Sequence, residues 1–262
     1  MIGIFDSGVG GLTVVREMLA QLPEYELVYF GDTARTPYGT KSKETIIKYA
    51  IEDTNFLLSQ GAKLIIVACN TASALASEDL KKKFPNIPIF EVVMPAVKQA
   101  LGATKNKRVG VIGTYATIGS GLYEKLLKNN NPEIEVYQAP CPLFVPLVEE
   151  GWLKNPETKR IAKKYLHPLR LKKIDTLILG CTHYPLLKPV IQPKIGRRVK
   201  LVDSAEAVVG EVKKFLAENT EVEKTLVKGK NHRFFVSDMT PRFGAIAEKW
   251  LGRRVVVKKA EV

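Results

Sequence analysis

Two stretches constrain this chain more than any others: ACNTAS at 68–73 and GCTHYP at 180–185. Each sets a cysteine directly after a strongly apolar run and before a helical pattern. Both belong to a longer repeat. IIVACNTAS (65–73) is echoed by LILGCTHYP (177–185) at an offset of 112, and IGIFDSGVGGLT (2–13) by VGVIGTYATIGS (109–120) at an offset of 107. Two echoes in the same order, each a strand, a polar corner and a helix, describe two related halves.

Strands are expected at 2–5, 26–30, 63–68, 87–90, 108–113, 134–138, 176–180, 200–203, 232–237 and 254–257. The best helical patterns cover 11–19, 42–60, 72–83, 120–130, 156–170 and 204–219. Short apolar strands alternating with helices argue for mostly parallel sheets. The expected fold is therefore α/β, with two similar three-layer domains related by pseudo-two-fold symmetry. The second spans residues 98–205. The first is discontinuous, 1–97 plus 206–262, because the segment after about 205 holds no third copy of the pattern and returns to complete it.

Composition excludes some classes. With 262 residues, 45% hydrophobic and 26% charged, the chain is a globular protein of ordinary balance. No apolar run approaches the roughly 20 residues of a membrane span, and MIGIFDSGVGG carries no signal-peptide pattern. The expected location is the cytoplasm, where three widely spaced cysteines stay reduced. A net charge of +13 raises the prospect of an anionic partner. The basic residues are scattered over helix faces, however, and no nucleic-acid signature accompanies them, so nucleic-acid binding is not expected.

Cys69 and Cys181 both fall where parallel α/β sheets bind ligands, at the carboxyl end of a strand. Free N–H groups and the positive end of the next helix favour a thiolate there, relative to a free thiol of pKa roughly 8.5. Asn70, Thr71 and Thr182 read as helix caps or as holders of a carboxylate. One buried cysteine is commonly just a small hydrophobe; two at repeat-related positions argue for chemistry. Cys141, in APCPLFVP, has no repeat partner and reads as structural.

Several chemistries use thiols. A metal site through Cys69, Cys181 and His183 has poor spacing, with no C-x-x-C pair, and no metal is expected. A hydrolase nucleophile needs one Cys and one His and leaves the second cysteine unexplained. Proton transfer on opposite faces of one carbon uses both, each sulfur roughly 3–3.5 Å from that carbon.

The flanking residues leave alternatives open. Asp6 and Ser7 end the first strand, as a helix cap or as a carboxylate that relays a proton near Cys69. The glycines of FDSGVGG allow a ligand to approach the backbone, but Thr13 breaks the dinucleotide fingerprint. Pro37-Tyr38-Gly39 reads as a turn whose N–H groups face a carboxylate, or as a plain turn. His183 is placed to tune Cys181 or to polarise a substrate. Thr114 and Thr117 occupy in the second half the place of Asp6-Ser7 in the first. Glu149 and Glu150 are indistinguishable on the residues alone.

Taken together, IGIFDSGVGGLTV, YFGDTARTPYG, ACNTASA, GCTHYPLL and LVDSAEA resemble the bacterial glutamate racemases, in order from residue 2 to about 207. The wider aspartate/glutamate racemase superfamily shares the two cysteine corners, while DSGVGG and DTARTPYG are closer to the glutamate enzymes. The resemblance implies cofactor-independent interconversion of L- and D-glutamate in a cleft between two α/β domains, a homodimer, and D-glutamate destined for peptidoglycan. It implies that Cys69 acts on D-glutamate and Cys181 on L-glutamate, with Asp6, Glu149 and His183 as auxiliary acid/base groups. Asp6, Ser7, Pro37, Tyr38, Gly39, Cys69, Asn70, Thr71, Thr114, Thr117, Cys181, Thr182 and His183 would hold the substrate. Racemisation of aspartate or another small amino acid, or a Cys/His hydrolase, are the competing readings.

Overall fold

The computed structural model describes residues 1–262, with the backbone alone for residues 241 and 242. The chain begins with β1 (Ile2–Asp6), α1 (Leu12–Gln21), β2 (Leu27–Gly31), α2 (Lys43–Ser59), β3 (Leu64–Val67), α3 (Asn70–Lys83) and β4 (Ile89–Glu91). Helix α4 (Val93–Ala103) leads into β5 (Arg108–Gly113), α5 (Tyr115–Gly119), α6 (Leu122–Asn130), β6 (Glu135–Pro140), α7 (Phe144–Glu149), α8 (Pro156–Leu171), β7 (Thr176–Gly180), α9 (Lys188–Ile195) and β8 (Lys200–Asp203). It ends with α10 (Ser204–Glu218), α11 (Thr220–Lys224), β9 (Arg233–Val236), α12 (Pro241–Leu251) and β10 (Val257–Lys259).

The strands form two sheets, β10-β9-β2-β1-β3-β4 and β6-β5-β7-β8, and every strand pair in them is parallel. The order β2-β1-β3-β4 is repeated as β6-β5-β7-β8. The register repeats as well. Ile2 pairs with Leu64 as Val109 pairs with Thr176, and Phe5 with Val67 as Ile112 with Leu179. These pairs are related by the offsets of 107 and 112 residues that the sequence shows. The first sheet differs by the two strands that the C-terminal segment adds outside β2.

Both sheets are covered on both faces, which explains why their strands are apolar throughout rather than alternating. Side chains still segregate with period two. Ile2, Ile4, Tyr29 and Ile66 enter one core cluster, while Phe5, Phe30, Ile65 and Val67 enter another on the opposite face under α2 and α3. In the second sheet Leu177 and Leu179 join the first cluster, and Val109, Val111 and Ile178 pack under α4 and α6.

Several boundaries depart from the sequence expectation. Helix α3 starts at Asn70, two residues early, so Cys69 is its N-cap residue. The pattern at 120–130 is preceded by the short α5, and Gly121, at φ 65°, separates the two helices. The last strand lies at 257–259 rather than 254–257, because as the outer edge of the sheet it pairs only with β9, through Val257, Lys258 and Lys259. Among the described residues no helix is long and apolar enough to cross a membrane.

Candidate active site

The carboxyl ends of the strands in the two sheets open onto one cavity of about 330 Å³. Both repeat-related cysteines line it. So do Ser7, Pro37, Tyr38 and Gly39 from the first half, Asn70 and Thr71 at the start of α3, and Thr114, Glu149, Thr182 and His183 from the second. Two expected residues lie behind the wall. Asp6 is fully buried beneath Ser7, and Thr117 is buried against Thr71 and Thr114.

At the first corner, the Cys69 thiol donates to Ser7 Oγ at 3.7 Å. Asp6 receives Thr182 Oγ1–H on Oδ1 (3.3 Å) and Gly8 N–H on Oδ2 (3.0 Å). At the second, Cys181 Sγ lies 3.8 Å from His183 Nδ1, and His183 Nε2 lies 3.0 Å from Glu149 Oε1. Cysteine, imidazole and carboxylate thus stand in line on one side of the cavity. On the other, the thiol has a hydroxyl and a carboxyl behind it.

The electrostatics follow from that difference. Burial, and then the Asp6 charge, push the Cys69 thiol up to about 12; the Ala72 N–H at the start of α3 pulls the other way and is outweighed. This corrects the expectation of a favoured thiolate at Cys69: desolvation exceeds the help of the helix N-terminus. Burial also raises Asp6, offset in part by the His183 charge and by bonds from Gly11, Gly8 and Thr182. Burial by itself would lower His183, but its bonds to Cys181 and Glu149, and their charges, carry it up to about 10. Both partners thus favour the protonated imidazole over the neutral ring.

Asn70 and Thr71 are not caps. They lie inside the first turn of α3 and reach across to the second half. Asn70 donates to Ser204 Oγ (3.3 Å) and accepts from Tyr123 Oη (2.7 Å). Thr71 Oγ1 closes a triangle with Thr114 Oγ1 (3.0 Å) and Thr117 Oγ1 (3.2 Å). Thr114 does cap α5, accepting from Thr117 N–H. Thr182 ties the corner in the opposite sense: besides its bond to Asp6, its carbonyl accepts from Thr13 Oγ1 at 3.1 Å.

Gly10 of FDSGVGG has a packing task. A Cβ on Gly10 would stand 2.1 Å from Thr182 Oγ1 and 2.6 Å from the His183 ring. The missing side chain makes room for the other half of the protein rather than for a ligand.

Sequence reasoning missed Thr36, Thr40, Tyr115, Pro142, Val145 and Pro146, which complete the cavity wall. It also missed Trp250 of α12, whose ring meets His183 edge-on at 6.0 Å between centroids. The signal available for Trp250 was an aromatic residue on an amphipathic segment; nothing local tied it to His183. Among the described residues no group of three or more His, Cys, Asp or Glu is arranged to hold a metal ion.

Comparison with known proteins agrees with this architecture. A family model described as Asp/Glu/Hydantoin racemase matches residues 2–212. The glutamate racemase of Geobacter metallireducens is 50% identical over 254 residues, covering 97% of this chain and 93% of that protein. The structure of a glutamate racemase isoform from Bacillus anthracis superposes with a TM-score of 0.93 at 38% identity, covering 100% of this chain and 97% of that one. A glutamate racemase from Francisella tularensis, solved in complex with D-glutamate, gives 0.90 at 40% identity, covering 100% and 96%.

Proposed function

The chain belongs to the Asp/Glu/hydantoin racemase family, and we propose that it is the isomerase that interconverts L- and D-glutamate by two-base proton transfer between Cys69 and Cys181. The observation that carries this reading is the pair of cysteines at repeat-related strand ends, both lining one cavity. The Francisella relative, at 40% identity, holds D-glutamate, which supports glutamate as substrate.

In the direction from L to D, Cys181 takes the α-proton and Cys69 returns one to the opposite face. The Cys69 thiol, held protonated by burial and Asp6, is suited to donate. The His183 cation, paired with Glu149, compensates the charge of a Cys181 thiolate. In the reverse direction the thiols exchange roles, with Asp6 and Ser7 assisting Cys69. The α-proton of an amino acid is very weakly acidic, so the developing carbanion needs dipoles aimed at the α-carboxylate in a water-poor site. Among the described residues no Lys or Arg lines the cavity. Carboxylates are therefore held by neutral donors: Asn70, Thr71, Thr114 and Thr182 side chains, backed by Thr117, and the N–H groups of Tyr38 and Gly39 in the Pro37–Gly39 wall.

The wider reading is a cytoplasmic homodimer that supplies D-glutamate for peptidoglycan, with one domain of residues 1–97 and 206–262 and a second of 98–205. Cys181, His183 and Glu149 in line are also the parts of a thiol hydrolase. That reading leaves Cys69 idle and predicts that Cys69→Ser retains turnover.

The test is incubation with L-glutamate in D2O without added cofactor, following optical rotation and the α-proton signal. Loss of rotation with deuterium at the α-carbon, absent in Cys69→Ser and in Cys181→Ser, is the expected result. Wild-type protein inert toward both enantiomers of glutamate would sink the proposal, and aspartate would then be tried.

A further inference from the structure

The motif GDTARTPYG supplies Tyr38 and Gly39 to the cavity, yet its Asp32 and Arg35 do no chemistry there. They form a buried polar cluster behind the wall. Asp32 at the end of β2, Asp53 on α2 and Tyr38 are all essentially inaccessible to solvent. Arg35 donates from Nε to Asp32 Oδ2 (2.6 Å), from Nη2 to Asp53 Oδ1 (2.9 Å) and from Nη1 to Glu52. The Tyr38 hydroxyl is bonded to Asp32 Oδ2 and lies 2.9 Å from Asp53 Oδ2.

Counting protons decides the state of this cluster. A phenol has one proton to give. Asp32 receives Arg35 Nε–H and Ser237 Oγ–H (2.8 Å); the serine oxygen in turn accepts Ala34 N–H (2.9 Å), so its single proton goes to Asp32. With the Tyr38 bond, Asp32 collects three donors and serves as an acceptor throughout. Asp53 has Arg35 alone, and its second oxygen faces a phenol oxygen whose proton points elsewhere. An ionised Asp53 would set two lone pairs against each other at a site closed to solvent. A protonated Asp53 completes the chain Asp53 Oδ2–H to Tyr38 Oη–H to Asp32.

We propose that Asp53 is a neutral, protonated acid that donates to the Tyr38 hydroxyl and thereby anchors the wall Pro37–Thr40 against which substrate binds. It is a positioning residue and does not touch substrate. Burial, then the Asp32 charge, push its carboxyl well above the usual carboxylate range, against the pull of Arg35. The groups facing it are Asp32 at the end of β2, Arg35 and Tyr38 in the loop, and Glu52 on its own helix, which also pairs with Lys48. Arg35 further stacks on the Tyr49 ring at 4.2 Å.

Only the kinetic part of the proposal rests on the racemase reading. Asparagine copies a protonated aspartic acid: its amide N–H donates to Tyr38 and its carbonyl accepts from Arg35. In urea unfolding of wild type and Asp53→Asn from about pH 5 upward, the wild-type unfolding constant should rise about tenfold per pH unit relative to the variant. The reason is that unfolding releases the Asp53 proton, since a free carboxyl ionises near pH 4. The rise ends where the pH reaches the folded carboxyl's own value. A ratio that stays flat with pH overturns the protonated state.

In kinetics, Asp53→Leu should raise KM for L-glutamate about tenfold with kcat within about threefold, while Asp53→Asn restores KM. A folded Leu variant with wild-type KM overturns the anchoring role. If wild-type protein does not turn over glutamate, the racemase reading fails by itself. The urea experiment still decides the proton, and faster hydrogen exchange of the Tyr38 and Gly39 amides in Asp53→Leu decides the anchoring.

Discussion

The two cysteine corners start from the same strand geometry and end with different neighbours. Cys69 and Cys181 follow strands in matching register, yet Cys69 faces the Ser7 hydroxyl while Cys181 faces an imidazole braced by Glu149. The repeat offsets trace the difference to two pairs of residues. Thr71 corresponds to His183, and Thr117 to Gly10. In one corner two threonines touch across the halves, at 3.2 Å. In the other, a ring occupies the space that a glycine leaves open. A symmetric scaffold thus gives its two cysteines unlike surroundings, which suits the proposed proton transfer on two inequivalent faces of a stereocentre.

The strongest way to break this comparison is at the thiols. Cys69→Ser and Cys181→Ser should each cut racemisation by at least about a thousandfold, because a poorly acidic hydroxyl replaces the proton carrier on one face. A variant keeping more than a tenth of wild-type turnover would remove that cysteine from the two-base scheme.

Next in size is Gly10→Ala. The added Cβ meets Thr182 and His183, and the overlap should cost about 1–3 kcal/mol of stability, measured by urea unfolding. It should lower kcat as well, because the imidazole must move away from Cys181. The counterpart change, Thr117→Gly, leaves the His183 corner untouched and should spare that imidazole's titration.

Glu149→Gln sharpens the contrast by pH. His183 has a folded pKa of about 10 against 6.5 for a free imidazole. Its stabilising contribution is whole below pH 6.5 and is lost as the pH climbs toward 10. Removing the Glu149 charge should pull the His183 titration, followed by NMR of the ring protons, back toward 6.5, and the loss of stability should finish at lower pH. An unmoved titration would mean that Cys181 alone sustains the imidazolium.

The smallest expected effect is at the threonine triangle. Thr117→Val removes one hydroxyl while Thr71 keeps Thr114, so stability should fall by about 1 kcal/mol, readable as a small shift of the unfolding midpoint.

Much of the fold was legible because it rests on local signals. Ten apolar runs between helical patterns became ten strands, and two short echoes matched the register of two sheets. Buried parallel strands announce themselves through continuous apolar runs. The C-terminal edge was less legible: Val255 and Val256 look like strand residues, but Val256 is largely exposed and pairing begins at Val257. For an edge strand the partner decides where pairing starts, and the partner is more than twenty residues earlier in the chain.

The candidate site divides in the same manner. The sequence by itself determined which side chains stand at strand ends, since a cysteine directly after a buried strand has no other place to be. It did not determine what those side chains face. That His183 meets Glu149 and Trp250, that Thr71 meets Thr117, and that burial holds Cys69 as a thiol were decided by the tertiary structure. Strand ends follow from nearest neighbours along the chain. Proton affinity follows from desolvation and from charges brought together across many residues, and those exist only once the two halves close on each other.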